Sequence, residues 1–452
     1  MRSVLKTKSA SARIARAMGI FSGVKVINIL CSLARNKAIA WFVGPAGMGL
    51  VVLFNSILDL ISQTSRLSID QSVQRDISQC AECNAGTTIT VVRRWALWLG
   101  LAGSVITCAM SPLLSLWSFD TFSHWPVFCL LSLVPVCLTY SVCTTAQNQG
   151  LRRFKAVALS NIVGSVAGLV LAIPLIIWLR IDSIAWVVLV YGITAFAGAY
   201  AFRPRIKNVK LSHNEIVLRG RSFIRLGSQI TLATFVTQAF NYLFVLVLNT
   251  YASTDTLGLY QSGYTLMNSY VGIIFMAMLV EYYPRLSATA HSPRRLTIAV
   301  SHQARLTLTV MTPLLCLLIV LINPVIRLIY SDTFLAVIPY VVAGCVGVVL
   351  RATSWCMAYV ILARGDGKAY LTTEITSAAI GFALNVAGYF FGGLLGLGIA
   401  YIIWFGMYTA IVCIICKRRY DVTFSPKAMW LSLLCFALTS ATAVVYLLTA
   451  WN

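Results

Sequence analysis

The sequence predicts an all-α polytopic membrane protein, built as two six-helix lobes with an additional C-terminal helix. Three observations carry this reading. First, thirteen apolar runs are each long enough to cross a bilayer, which takes about 20 residues of helix. Second, the basic residues are sorted by side. Of the 35 Lys and Arg residues, 27 fall in alternate connections and only Arg180 falls in the others, as expected when basic loops stay on the cytoplasmic side. Third, a weak repeat relates the halves. Gly49-Leu50 opens the second run and Gly258-Leu259-Tyr260 the eighth, about half the chain apart. An even number of spans separates them, so both halves enter from the same side. That implies a pseudo-two-fold axis along the membrane normal.

The runs, in order, are as follows. The first (17–42) follows a basic segment with no small-residue cleavage site, so it reads as an uncleaved helix with a cytoplasmic N-terminus. The second (48–70) follows the turn Gly44-Pro45-Ala46-Gly47. The third (94–117) begins at Arg94, and the fourth (125–147) ends before Arg152-Arg153. The fifth (155–179) and sixth (183–202) are joined by a short outer turn at Arg180. These make an N-terminal lobe over 1–202, followed by a cytoplasmic linker at 203–222. The C-terminal lobe, 223–416, holds 223–249, 257–283, 305–330, 334–363, 369–391 and 395–416. A basic loop and a thirteenth run (429–450) fill 417–452. The inner connections 71–93, 203–222 and 285–304 have the composition of amphipathic surface helices. The outer connections are too short for a globular domain.

Composition excludes several classes. Charged residues make up 11% of the chain, against about 25% in soluble proteins. The net charge of +22 sits in short loops, so nucleic acid is not an expected partner. Most of the 13 cysteines lie inside apolar runs, where they act as small apolar residues. Cys80 and Cys83 form a lone CxxC without a second pair, short of the four ligands that structural zinc requires. The four histidines fall in loops or at span ends. No metal site, cofactor or catalytic constellation is expected.

Charged residues inside the spans carry the functional signal. A charge at the bilayer centre costs about 2.5–3.5 kcal/mol on the mildest scale, so such residues face a water-filled cavity or a partner. Asn55, Asp59, Gln63, Arg66 and Asp70 fall on one stripe of the second run, at about 100° per residue. Lys25, Asn28, Ser32, Arg35 and Asn36 cluster on one side of the first. Lys37 lies off that stripe, in reach of the interface by snorkelling. In the second lobe, Thr231, Thr234, Gln238 and Asn241 share a face, as do Gln261, Thr265 and Asn268. Arg351 is mid-span, and Glu374, Ser377, Gly381 and Asn385 align on the eleventh run. Lys25, Arg35, Lys37, Arg66 and Arg351 suit an anionic ligand, arginine through its planar fork. Asn28, Asn55, Gln63, Gln238 and Asn241 suit sugar hydroxyls. The same charges also admit structural pairing, with Asp59 neutralising Arg66 or Lys25. Asp59, Glu281 and Glu374 are candidates for coupling to H+ or Na+, since buried carboxylates can exchange protons.

Several segments together resemble a known family. They are Gly44-Pro45-Ala46-Gly47-Met48-Gly49-Leu50, Gly258-Leu259-Tyr260-Gln261, Tyr282-Tyr283-Pro284-Arg285-Leu286-Ser287, Ala363-Arg364-Gly365-Asp366-Gly367-Lys368 and Gly393-Leu394-Leu395-Gly396-Leu397-Gly398. In order and spacing the chain resembles, over roughly 15–416, the Wzx-type oligosaccharide flippases (O-antigen translocases) of the MOP (MATE-like) superfamily. The resemblance implies a non-enzymatic transporter of the bacterial inner membrane. Its cargo would be an undecaprenyl-diphosphate-linked oligosaccharide moved between leaflets by alternating access. A glycan polymerase and a chain-length regulator are the implied partners. The family's basic cavity would correspond to Lys25, Arg35, Arg66 and Arg351. The thirteenth run departs from the family's usual twelve. A MATE-like exporter of drugs or organic cations is the alternative, and a membrane-embedded glycan polymerase or acyltransferase a more distant one.

Overall fold

The computed structural model describes residues 27–67, 85–151, 153–206, 211–272 and 292–451, with single positions at 69, 73, 77, 209, 274, 275, 278, 282, 285, 286 and 289. Among them the chain is helical with no strand. It divides into two compact units, Met1–Tyr242 and Leu243–Asn452.

In the first unit, helix α1 (27–42) turns into α2 (Pro45–Arg66) through Gly44, whose φ of 86° favours glycine over any residue with a Cβ. Pro45 then starts the helix, where its missing N–H goes unused. Next come α3 (Ala85–Ala109), the short α4 (Ser111–Phe119), α5 (Trp125–Leu131) and α6 (Leu133–Gly150). Helices α7 (Phe154–Leu179) and α8 (Ser183–Ala201) form a hairpin about a 3-10 turn, Arg180–Asp182. Together they cover 48 residues of high hydropathy, too long for one crossing, since about 20 suffice. Helix α6 packs on α3 and α8, and α2 packs on α3. Helix α9 (His213–Tyr251) crosses the boundary between the units. The lobe change expected in 203–222 thus precedes the observed division, which falls inside a helix.

The second unit begins with the end of α9 and α10 (Thr254–Tyr264), which passes into a π-helical segment, Thr265–Tyr270. It continues with α11 (Pro293–Val320), α12 (Ile322–Ile329) and α13 (Ile338–Ala363). Helix α14 (Gly367–Tyr420) is broken at Gly392 and Gly393, where Gly393 has φ 55° and ψ −136°. It therefore folds as a hairpin and supplies the eleventh and twelfth spans. Helix α15 (Pro426–Trp451) is the thirteenth apolar run and packs on α11 and α13. Its start is fixed by Ser425 N donating to Ser301 Oγ at 2.8 Å.

The three inner connections expected as surface helices are shorter than the sequence suggested. Residues 85–93 belong to α3, 213–222 to α9 and 293–304 to α11. Hydropathy marks where a helix leaves the apolar layer, but backbone hydrogen bonding continues past that point. The remaining linker lies along the polar end of α3. Val209 N donates to Thr90 Oγ1 at 3.1 Å, Trp95 Nε1 donates to the Ile216 carbonyl at 3.0 Å, and Arg93 donates to the Pro204 carbonyl.

Large apolar side chains are exposed around the outside, with Trp178 at 82%, Phe391 at 91% and Trp430 at 71%, as expected where lipid is the solvent. Contacts within the units use small residues, which let helix backbones approach closely. A Cβ at Gly398 would lie 2.6 Å from Ala343 Cβ, and one at Gly347 2.6 Å from the Tyr401 ring.

The N-terminal end of α14 is held by a capping carboxylate. Asp366 Oδ1 accepts from Ala369 N at 3.0 Å, and Oδ2 accepts from Tyr420 Oη and Arg419 Nη1, each at 2.8 Å. The Ala369 amide first, then the Tyr420 hydroxyl and Arg419, hold this carboxyl below its ordinary value of 3.8. Its stabilisation is therefore fully present above the ordinary value and is lost as pH falls through the lowered one. Asp366→Ala is expected to lower stability in detergent by about 1 kcal/mol at pH 7, the usual worth of such a cap. The difference from wild type should stay constant from pH 8 to 5 and shrink only below about pH 4. Thermal unfolding across that range checks both parts.

Candidate functional site

The polar stripe of α2 lies on the accessible side of the helix. Val51, Val52, Leu53, Phe54, Ile57, Leu58 and Ser62 are buried, whereas Asp59 is exposed and Asn55, Gln63 and Arg66 are half-buried. A carboxylate on the accessible side of a span would be costly against lipid, so such a face is expected to meet water or a partner. Lys25, Asp70 and Glu281, like Cys80 and Cys83, lie outside the described residues.

On α1, Arg35 is half-buried and held by neutral groups. Its Nε and Nη2 donate to Asn36 Oδ1 at 3.4 and 3.3 Å. Its guanidinium lies 4.8 Å from the centre of the Tyr191 ring on α8, a cation–π contact. Asn28 Oδ1 accepts from Ser165 Oγ of α7 at 2.9 Å. The Lys37 ammonium lies 5.7 Å from the centre of the Trp41 ring. On α9, Asn241 is exposed and donates to Gln238 Oε1 at 3.1 Å.

The second unit holds Arg351 in a comparable setting. The guanidinium donates to Asn268 Oδ1 and, at 3.3 Å, to Tyr401 Oη. Tyr401 Oη in turn donates to Asn268 Oδ1 at 3.2 Å. The Phe275 and Phe405 rings lie 5.6 and 5.7 Å from the guanidinium carbon. Asn268 comes from the π-helical segment, and such segments often re-aim side chains at functional sites. Neither Arg35 nor Arg351 has a carboxylate partner among the described residues. Burying a charge without a counter-charge is unfavourable, and neutral donors and rings offset only part of that cost.

Glu374 is separate from that cluster. Tyr408 Oη donates to its Oε1 at 2.6 Å. On the same helix, Ser377 Oγ accepts from Trp404 Nε1 at 3.0 Å. Sequence reasoning names Arg35, Arg351 and Glu374 as candidates but not the residues that contact them, Tyr191, Tyr401 and Tyr408. An aromatic residue inside an apolar run carries no sign that its ring or hydroxyl serves a charged group. Among the described residues no cluster of His, Cys, Asp or Glu could hold a metal ion.

Helix order, glycine-mediated packing and polar residues inside the spans define a multi-pass membrane protein with the fold of MOP-superfamily transporters. An inward-facing multidrug resistance MATE family transporter aligns with a TM-score of 0.66 at 13% identity, covering 92% of this chain and 96% of that one. The lipid II flippase MurJ, in an inward closed conformation, aligns with 0.64 at 12% identity, covering 96% and 98%. A MOP superfamily transporter from Pyrococcus furiosus, described as having a binding pocket of reverse polarity, aligns with 0.60 at 13%, covering 93% and 96%. No curated protein matches in sequence. A family model described as polysaccharide biosynthesis protein matches residues 38–339, and the chain belongs to that family.

Proposed function

We propose that this protein is a flippase for a lipid-linked oligosaccharide. It would carry an undecaprenyl-diphosphate-linked glycan unit from the cytoplasmic to the periplasmic leaflet of a bacterial inner membrane by alternating access. The observation that carries this reading is that Arg35 and Arg351 are each held by neutral groups, without a carboxylate partner among the described residues. A diphosphate is the anion that such charges suit, and family membership supports a glycan as its cargo. The glycan polymerase and chain-length regulator would act on the product in the outer leaflet. The test is a leaflet-resolved assay in vesicles with a defined prenyl-diphosphate oligosaccharide. Protein-dependent movement between leaflets is expected. Movement of an organic cation and not of the lipid-linked glycan would favour the MATE-like exporter instead. Chain extension without translocation would indicate a polymerase.

Asp59 and Glu374 are the coupling candidates among the described residues, and we place the coupling at Glu374. Among the described residues its carboxylate has one side-chain donor, Tyr408, at 2.6 Å, which leaves lone pairs for a proton or a sodium ion. Glu374→Gln should translocate downhill normally but lose at least tenfold in the response to an imposed proton or sodium gradient. An unchanged gradient response would remove Glu374 from the mechanism.

A further inference from the structure

A groove between the two ends of α14 shares no lining residue with the Arg351 cluster. It has a volume of about 210 Å³, and its walls come from the two arms of the hairpin. Lys368, Thr372 and Thr376 recur at helical spacing on one arm, and Arg419, Ile415 and Ile411 run antiparallel on the other. The groove is therefore graded. Both basic groups sit at the end beside the basic loops, and the two isoleucines lie deeper. Eight residues of helix separate its ends, about 12 Å at 1.5 Å per residue, the depth of a lipid headgroup and its glycerol. The groove borders a face that exposes Ile403, Met407 and Ile414, at 46%, 43% and 53%.

Charge at the mouth is positive on balance. Arg419 gives one N–H to Asp366 at 2.8 Å and keeps its other donors, since a guanidinium has five. Tyr420 also serves Asp366, at 2.8 Å. Lys368 is exposed, and Lys417 and Arg418 precede Arg419 in the last turn of the helix. A basic pocket between spans on the side of the basic loops is the chemistry that holds anionic headgroups.

We propose that this groove binds an anionic phospholipid from the leaflet on the basic side of the protein. Lys368 and Arg419 would meet the phosphate, the threonine rim the glycerol oxygens, and Ile411 and Ile415 the start of an acyl chain. Native mass spectrometry of the detergent-purified full chain, titrated with phosphatidylglycerol or phosphatidylcholine, tests it. Wild type should retain phosphatidylglycerol about tenfold more tightly than phosphatidylcholine. Lys368→Gln should weaken phosphatidylglycerol about tenfold, and Lys368→Arg should restore it. Thr376→Trp, which fills the groove without removing charge, should weaken it as well. Lys427→Gln, basic but outside the groove, should leave it unchanged. Equal loss in Lys427→Gln would reduce the effect to general surface charge and overturn the proposal. So would displacement of the lipid by millimolar inorganic phosphate, or equal retention of the two lipids.

Discussion

Arg351→Ala is expected to reduce translocation of lipid-linked glycan at least tenfold while leaving the protein folded. The reason is the pattern of bonds around the guanidinium. Asn268 and Tyr401 both meet Arg351, but they also meet each other, with Tyr401 Oη donating to Asn268 Oδ1 at 3.2 Å. Removing the arginine leaves that neutral pair intact and strands no carboxylate among the described residues. A charge-assisted hydrogen bond to a ligand is worth about 1.5–3 kcal/mol, which sets the scale of the loss. Arg351→Met preserves bulk and removes an uncompensated charge, so it should be as heat-stable as wild type or more so, yet equally inactive. Arg351→Lys should fall between, because an ammonium cannot hold Asn268 and Tyr401 in a planar fork and still meet a phosphate. Surface-glycan complementation combined with detergent melting separates binding from folding. Full export by Arg351→Ala, or a large fall in its melting temperature, would defeat the argument.

Gly396→Ala should be the most damaging small change in the second unit. A Cβ at Gly396 would lie 1.9 Å from the Gly388 carbonyl oxygen and 2.9 Å from its carbon. Both are backbone atoms that cannot rotate aside. On the facing arm, a Cβ at Gly388 would lie 2.6 Å from the Gly396 oxygen. The hairpin of α14 must then open, at a cost of several kcal/mol and at the high end for overpacking. Opening would also displace Tyr401, which packs against Gly347 and holds Arg351. Gly406 provides the control. Its nearest neighbour beyond a new Cβ is Leu350 Cδ1 at 3.8 Å, so Gly406→Ala should be neutral or stabilising by up to about 1 kcal/mol. Folded yield and melting temperature of the two variants should diverge sharply. Equal behaviour would show that the hairpin is more yielding than its backbone contact implies.

The division of labour between sequence and structure follows from the range of each interaction. Apolar runs are local, and every one of the thirteen contains helix among the described residues. The stripe of Asn55, Asp59, Gln63 and Arg66 is also local, being a consequence of helical pitch, and it lies on the accessible side of α2. The Gly392–Gly393 break could be read from two adjacent glycines between apolar runs. Arg351's setting could not. Its partners lie 83 and 50 residues away, and Asn268 reaches it from a π turn that periodicity would read as ordinary α-helix. Helix ends were misjudged for a different reason. Residues such as Thr90 and Arg93 are polar enough to read as loop but remain hydrogen-bonded within or against α3.

The neutral surroundings of Arg35 and Arg351 among the described residues have an electrical consequence. An arginine paired with a carboxylate is a dipole, and a membrane potential does little net work on it. A positive charge held by neutral groups instead couples any rearrangement that moves it along the membrane normal to the voltage. The coupling is up to about 2.3 kcal/mol per charge per 100 mV if the whole field is crossed. An arriving dianion would cancel much of that work, so the empty and loaded forms of the protein would differ in how strongly voltage holds them.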